Sequence, residues 1–184
     1  LDGDYEEPVS KAEIGKWAIG GILIIFAVAL LISFTSNFFT GVEDQNWQWG
    51  DNAANWLGGI GVLLVRNVMN YSFGLATFFL PIFLIVLAFK ILKIGRIRLW
   101  KWFINCALLT IWFSVAGAML QQFFFDDSHT VIVMGGMHGK YALDFLINKI
   151  GIVGAIFTII ISAIAYIGYL SGETINFIQR GLEA

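Results

Sequence analysis

Residues 134–145, MGGMHGKYALDF, contain a Gly139-Lys140 pair of the kind found in phosphate-binding loops. Such a loop follows the pattern G-x-x-x-x-G-K-[ST], because the first glycine opens the turn, backbone N–H groups hold the phosphates and the hydroxyl binds magnesium. In this chain Met134 stands in place of the first glycine, and Tyr141 stands in place of the hydroxyl residue. The segment therefore departs from a nucleotide site at two defining positions.

Few other side chains could carry out chemistry. Cys106 is the single cysteine, which excludes an intrachain disulfide and a cysteine-based metal cluster. His129 and His138 have no neighbouring pattern of metal ligands, so we interpret both as polar loop residues. Neither a carboxylate pair nor a Ser-His pair lies within or beside the apolar segments. The sequence predicts that this chain has no catalytic, cofactor-binding or metal-binding residues and is not an enzyme.

The composition places the chain in a membrane. Hydrophobic residues make up 58% of it and charged residues only 13%, against about 25% charged residues in a typical soluble domain. Four segments carry no charged residue and no histidine: 17–41, 67–89, 102–125 and 150–172. Each is long enough to cross the hydrocarbon as a helix, which takes roughly 20 residues. The predicted fold is an all-α integral membrane domain with four transmembrane helices.

The spans divide the chain into three parts. We expect a cytoplasmic tail over 1–15, a membrane domain over 16–178 and the start of a cytoplasmic linker over 179–184. The four spans are predicted near 17–38, 72–90, 102–124 and 151–171. Four acidic residues precede the first lysine, so we expect the first span to be an uncleaved anchor rather than a signal peptide. Because the chain begins with leucine and ends just after a span, we expect it to be a piece of a longer protein.

The basic residues predict the orientation. The connection between the second and third spans holds five of them and no acid: Lys90, Lys93, Arg96, Arg98 and Lys101. The two other connections, 42–66 and 126–149, carry three acidic residues each. Since basic residues beside spans tend to stay in the cytoplasm, we expect this basic hairpin and both termini inside and both long loops outside. We interpret the hairpin as setting topology and binding anionic lipid, at about 1 kcal/mol per charge, rather than binding DNA.

The two outer loops form a weak repeat. Each contains two adjacent glycines and a further glycine: Gly58, Gly59 and Gly61 in the first, and Gly135, Gly136 and Gly139 in the second. A short amphipathic segment follows each set and predicts a helix lying along the outer membrane interface. The chain is thus predicted to be a pseudo-repeat of span, loop, interfacial helix and span. Gly74 starts the second span, and Pro81 is expected to bend it because proline lacks the N–H that bonds residue 77.

The segment NWLGGIGVLLVRNVMNYSFGLATFFLPIFLIVLAFKIL resembles the amino-terminal membrane domain of the FtsK/SpoIIIE family of DNA translocases. That domain has four spans, and its N-x-x-G-x-x-G-type segment and glycine-to-proline span start are matched by Asn55, Gly58, Gly61, Gly74 and Pro81. The GGMHG segment and the Gly151 and Gly154 span start match the family's second outer loop and last span. The resemblance covers roughly residues 15–178.

The resemblance implies a membrane anchor that gathers translocase subunits into a homo-oligomer at the division septum. It further implies a role in cell division and chromosome segregation, a place in the bacterial inner membrane, and contact with other division proteins. ATP, magnesium and double-stranded DNA would be bound only by the family's motor domain, whose Walker motifs are not in these residues.

A small four-span transporter or channel subunit is the alternative function. Transporters usually place an ionisable or strongly polar residue at membrane depth. Here the main polar candidates are Asn105, Ser114 and Ser162, and single small polar residues more often bond neighbouring helices. Gly168 and Gly172 form a G-x-x-x-G pair that could pack within the bundle or against another subunit.

Overall fold

A computed structural model describes residues 10–125 and 133–182, so His129 and the acidic pair at 126–127 lie outside the described residues. The helices are α1 (Lys11–Thr40), α2 (Gly58–Leu64), a π-helix (Val65–Phe73), a 3-10 helix (Gly74–Phe78), α3 (Phe79–Ile91), α4 (Leu99–Phe124) and α5 (Gly136–Leu182). No strand occurs within these ranges, and four helical stretches are long and apolar enough to span a membrane. The predicted all-α membrane fold is confirmed.

The first span begins well before its apolar segment. Ser10 caps α1, because its Oγ accepts a hydrogen bond from the Glu13 N–H at 3.2 Å. The Glu13 carboxylate in turn accepts a hydrogen bond from the Ser10 N–H at 3.2 Å. This reciprocal pair satisfies N–H groups that the first helical turn would otherwise leave unbonded. The helix therefore starts in the polar tail and runs into the span without interruption.

The second span is a composite of four helical stretches that run from Gly58 to Ile91. Its irregular part lies ahead of the proline. Gly74 has a φ of 62°, and the 3-10 helix follows it before α3 begins at Phe79. Pro81 is buried in the first turn of α3, where a helix leaves N–H groups without internal partners anyway. The irregular backbone thus begins at Gly74, and the bend at Pro81 stays a prediction.

The spans pack in the order α1, α3, α4, α5. A short connection joins α3 to α4, and its Leu92 side chain lies directly over Gly20 of α1. A Cβ added at Gly20 would approach that leucine at 2.6 Å, closer than real Cβ contacts. The glycine therefore lets the connection rest on the first span.

Each half of the chain has its own apolar core. The first consists of Leu30, Phe34, Val65 and Met69, and the second of Ala118, Leu143 and Ala155. In both, the short helix that follows the outer loop packs against the spans on either side of it. Val65 is as far along the chain from Gly58 as Leu143 is from Gly136. The two halves thus use equivalent positions to build equivalent cores.

The glycines with positive φ show which residues of the two halves correspond to each other. Gly58 and Gly136 begin the short helices with φ of 62° and 65°, and Gly74 and Gly151 end them with φ of 62° and 73°. Gly58 therefore corresponds to Gly136, so the two adjacent-glycine pairs of the sequence are offset by one residue. The first segment is also one residue longer than the second. The π-helix absorbs that residue, since its turns are wider than those of an α-helix. The interfacial position of the two short helices stays a prediction.

Deletion of Asn67 tests whether the π-helix accommodates the extra residue of the first segment. The residue is exposed in the π-helix, so its removal should convert that stretch to α-helix while the core residues keep their places. We expect the free energy of unfolding to fall by less than about 2 kcal/mol. Deleting Asp144, exposed in the matching helix, should cost more than about 3 kcal/mol because it rotates Leu146 and Ile147 out of the second core. Denaturant unfolding in detergent, followed by circular dichroism, measures the free energy of unfolding of both variants. Equal losses would contradict the interpretation of the π-helix as a one-residue insertion.

Candidate functional site

The first outer loop is fastened to α1 by a buried asparagine. Asn55 is 4% exposed, and its Nδ2 donates to the Ser33 carbonyl at 3.1 Å while its Oδ1 accepts from the Leu57 N–H at 3.1 Å. Ser33 Oγ donates to the Gly61 carbonyl at 2.8 Å. A Cβ on Gly61 would collide with the Asn55 side chain. Gly61 is thus the place where the short helix touches the first span.

Trp47 holds the same loop from its outer side. Its indole N–H donates to the Asp51 carbonyl at 3.0 Å, and its own carbonyl accepts from Arg66 Nη2 at 2.8 Å. The indole ring lies against Gly59, where a Cβ would meet it at less than 3.0 Å. Gly58, by contrast, faces open space and supplies only the positive φ that starts the helix.

The second outer loop is fastened to α4 in a parallel way. Ser114 is buried, and its Oγ donates to the Gly135 carbonyl at 2.5 Å. Gly139 lies against the Ser114 carbonyl and hydroxyl, and Gly135 lies against Ala118, with no room for a Cβ at either glycine. Ser114 therefore serves the second half as Ser33 serves the first.

The two halves meet where residues 72–75 cross residues 134–136. The Leu75 N–H donates to the Met134 carbonyl at 3.0 Å. Gly74 and Gly136 lie face to face, and a Cβ on either would collide with backbone atoms of the other segment. Both also have positive φ, which side-chain-bearing residues rarely adopt. We call this crossing, residues 72–75 and 134–136, the glycine junction.

His138 belongs to the edge of the glycine junction. Its ring stacks on Phe73 with centroids 4.8 Å apart, and Nδ1 lies 3.2 Å from the Ser72 carbonyl. No group of three potential metal ligands occurs among the described residues. His138 was expected in a loop but lies in the first turn of α5, exposed, where its contacts link the two halves.

The Gly-Lys segment does not have the geometry of a phosphate cradle. Gly135, Gly136 and Gly139 are buried against α4 or the glycine junction, while Lys140 is exposed. A phosphate loop needs open space above its glycines, because the N–H groups there must face the ligand. Here a Cβ at any of the three glycines would collide with Ser114, Ala118 or the backbone of residues 72–74, so they serve close packing.

The polar residues within the spans bond neighbouring helices. Asn105 Oδ1 accepts from the Tyr166 hydroxyl at 3.1 Å, and Ser162 Oγ lies 3.2 Å from the Trp112 indole nitrogen, which donates to it. Ser114 bonds Gly135 as described above. The three polar candidates of the sequence, Asn105, Ser114 and Ser162, are thus hydrogen-bonded to other parts of the chain.

The basic hairpin clusters at the opposite end of the α3 and α4 pair. Lys90, Lys93, Arg96 and Arg98 are exposed, and Lys101 is half-buried at the start of α4. Lys93 has a φ of 58° and Gly95 a φ of 72°, which together reverse the chain within a few residues. Five cations are therefore held close together at one end of the bundle, and their effect on topology stays a prediction.

Sequence analysis missed the polar end of the first span. Ser33, Ser36 and Asn37 are all buried there, and Ser36 Oγ accepts from the Trp56 N–H at 2.9 Å. Their spacing of three and four residues puts them on one helix face, which is a signal that could have found them. Trp47 carried no such signal, because its role depends on how the loop folds.

Comparison with known proteins adds a family. The family model described as the 4TM region of DNA translocase FtsK/SpoIIIE matches residues 11–181, which include all four spans. No curated protein and no solved structure matches the chain.

Alanine at Gly74 and at Gly151 separates crowding from backbone strain. Both glycines have positive φ at the end of a short helix, but only Gly74 is surrounded by backbone, while Gly151 faces open space. The strain should cost about 1–3 kcal/mol at either position. Gly74→Ala should lose about 1–3 kcal/mol more, because the glycine junction must move apart. Denaturant titration in detergent measures both losses, and equal values would show that the junction is not tightly packed.

Proposed function

This chain belongs to the family of the 4TM region of DNA translocase FtsK/SpoIIIE, and on that premise we propose that it anchors such a translocase at the division septum and gathers its copies into an oligomer. The observation that carries the proposal is the family match over residues 11–181, from the start of α1 to the end of α5. The 4TM region is the non-motor membrane part of these translocases, and this chain is a multi-pass membrane protein.

In this proposal the chain performs no catalysis itself. The buried glycines of the Gly-Lys segment and the engaged polar residues of the spans support a structural role. Nucleotide hydrolysis, magnesium binding and movement of double-stranded DNA are assigned to a motor domain outside these residues. The anchor supplies that motor with a fixed place in the inner membrane.

Rigidity between the two halves suits an anchor. The Leu75–Met134 hydrogen bond and the interlocked Gly74 and Gly136 leave little freedom for one half to move against the other. A transporter that alternates its access moves one repeat against the other around a central site. The tight glycine junction therefore favours the anchor over the transporter.

One face of α5 supports self-association. Val153, Phe157, Ile161 and Ile164 lie along that face and are each about 60% exposed or more, at 66%, 59%, 62% and 64%. A Cβ at Gly168 or Gly172 would meet nothing within 4 Å, so this G-x-x-x-G pair does not pack within its own bundle. Small residues at such spacing let two helices approach closely. We infer that α5 faces another copy of the chain.

The proposed orientation predicts which positions can be labelled from outside the cell. Single cysteines at Asp51, Arg98 and Met137 would be introduced into a Cys106→Ser background, since all three positions are exposed. An impermeant thiol reagent applied to intact cells should label positions 51 and 137, and position 98 only after the membrane is opened. Labelling of position 98 in intact cells, with 51 and 137 protected, would invert the topology.

A fluorescent fusion of residues 1–184 tests the anchor itself. We expect a midcell band and cross-linked oligomers from the unmodified chain. Gly59→Val should weaken both signals while leaving membrane insertion intact, because it displaces Trp47 without touching the apolar spans. Gly15→Val is the matched control, since a Cβ there meets nothing within 4 Å, and it should behave like the parent. An evenly distributed, monomeric parent fusion would refute the proposal.

A further inference from the structure

A polar cavity of about 160 Å³ lies at the outer end of the first half. It is bounded by the end of α1, the turn that follows it and the helix that begins at Gly58. Asn37, Asp44, Arg66 and Asn70 contribute its polar wall, and Val62 and Val65 contribute its floor. Val133, which directly precedes the glycine junction, also lines the cavity, so the second half closes one side of it.

Two buried atoms in this wall have no hydrogen-bond partner. They are Asn37 Nδ2, a donor, and Asn70 Oδ1, an acceptor. Asn37 is only 7% exposed, so bulk water does not serve it. Buried polar groups in folded proteins are nearly always bonded to protein or to ordered water, so an unbonded donor and acceptor in one cavity call for an occupant, either water or a ligand.

The two charged side chains of the wall, Asp44 and Arg66, are also incompletely hydrogen-bonded. Asp44 is 7% exposed and Arg66 is half-buried, yet among the described residues no ion pair joins them. One Asp44 oxygen accepts from the Ala54 N–H at 2.7 Å, and one Arg66 nitrogen donates to the Trp47 carbonyl at 2.8 Å. An arginine has five N–H donors and a carboxylate has two oxygens, so both groups retain bonding capacity toward the cavity.

We propose that this cavity binds a small zwitterion of the α-amino acid class. A carboxylate would accept hydrogen bonds from Asn37 Nδ2 and the Arg66 guanidinium. An ammonium group would donate to Asn70 Oδ1 and the Asp44 carboxylate. The cavity is large enough for such a molecule, because on this measure of volume a single water needs only about 10–15 Å³, and glycine and alanine are the smallest members of the class.

Both charges of the ligand are needed for this fit. An anion alone would satisfy Asn37 and Arg66 but leave Asn70 unbonded and place a second negative charge near Asp44. A cation alone would bond Asn70 and Asp44 but leave Asn37 unbonded and place a second positive charge near Arg66. Water would satisfy the same atoms one at a time, and saturable binding of an amino acid distinguishes the two occupants. The inference does not depend on the anchor role, since it rests only on the lining of this cavity.

Equilibrium dialysis of the purified chain in detergent tests the proposal with radiolabelled glycine and alanine. We expect saturable binding that unlabelled glycine or alanine displaces. Equal concentrations of acetate and methylammonium together should not displace it, because neither molecule carries both charges. Binding of neither amino acid at millimolar concentration would overturn the proposal, as would displacement by acetate alone.

Variants locate the site. Asn37→Ala and Arg66→Gln should each weaken binding at least about fivefold, because each removes a donor to the carboxylate. Asn67→Ala is the matched control, since this asparagine neighbours Arg66 on the same helix but does not line the cavity, and its binding should equal the parent's. Unchanged binding in both site variants would place the ligand elsewhere and overturn the proposal.

Asn37→Leu keeps the test valid if an alanine variant folds poorly. Leucine has a similar shape and needs no hydrogen bond, so it removes the unbonded donor without opening a hole. We expect its melting temperature without ligand to equal or exceed the parent's, and its binding of glycine and alanine to be lost. A lower melting temperature together with retained binding would show that Asn37 has a structural role only.

Discussion

The outer end of this bundle is organised by the need to bond the backbone where its helices are interrupted. A helix satisfies its own N–H and C=O groups, but each break leaves some of them without a partner, and lipid offers none. Here Ser33 and Ser114, one from the first span of each half, supply hydroxyl donors to the loops that follow. At the glycine junction the Leu75 N–H instead finds a carbonyl of the other half. The buried glycines are a consequence, because these bonds require the backbones to approach one another closely.

The need to bond these backbone groups also explains why the two halves have the same order of elements but differ in helix type. The extra residue between Gly58 and Gly74 widens the helix into a π-helix. This changes which groups can donate hydrogen bonds to its carbonyls. Thr77 donates to one of them, the Val68 carbonyl, at 3.0 Å. The second half has no extra residue and reaches Gly151 as an ordinary helix. A repeat that differs by one residue is thus preserved by local adjustment of the backbone, with its core positions intact.

Much of the fold could be predicted from the sequence because the strongest signal, long uncharged apolar segments, depends only on the solvent that surrounds them. The composition therefore identified four spans and the helical class. The start of α1 could not be placed from hydrophobicity, since the cap formed by Ser10 and Glu13 lies in the polar tail. The break ahead of Pro81 was missed for a related reason. Proline rules apply within a helix, and the position of the first turn was set by Gly74 and its contacts.

The glycines of the two outer loops could be predicted from the sequence, but the residues that pack against them could not. Sequence shows where a Cβ is missing, and only the fold shows what occupies the space, such as Trp47 at Gly59 or the opposite backbone at Gly74. That last contact has a consequence for biogenesis. A membrane protein emerges from the ribosome amino terminus first, so the first pair of spans is made before Met134 exists. Until then the Leu75 N–H lacks the acceptor that it has in the folded structure, the Met134 carbonyl. The glycine junction is therefore the last part of this contact to form, since it needs residues from both halves of the chain.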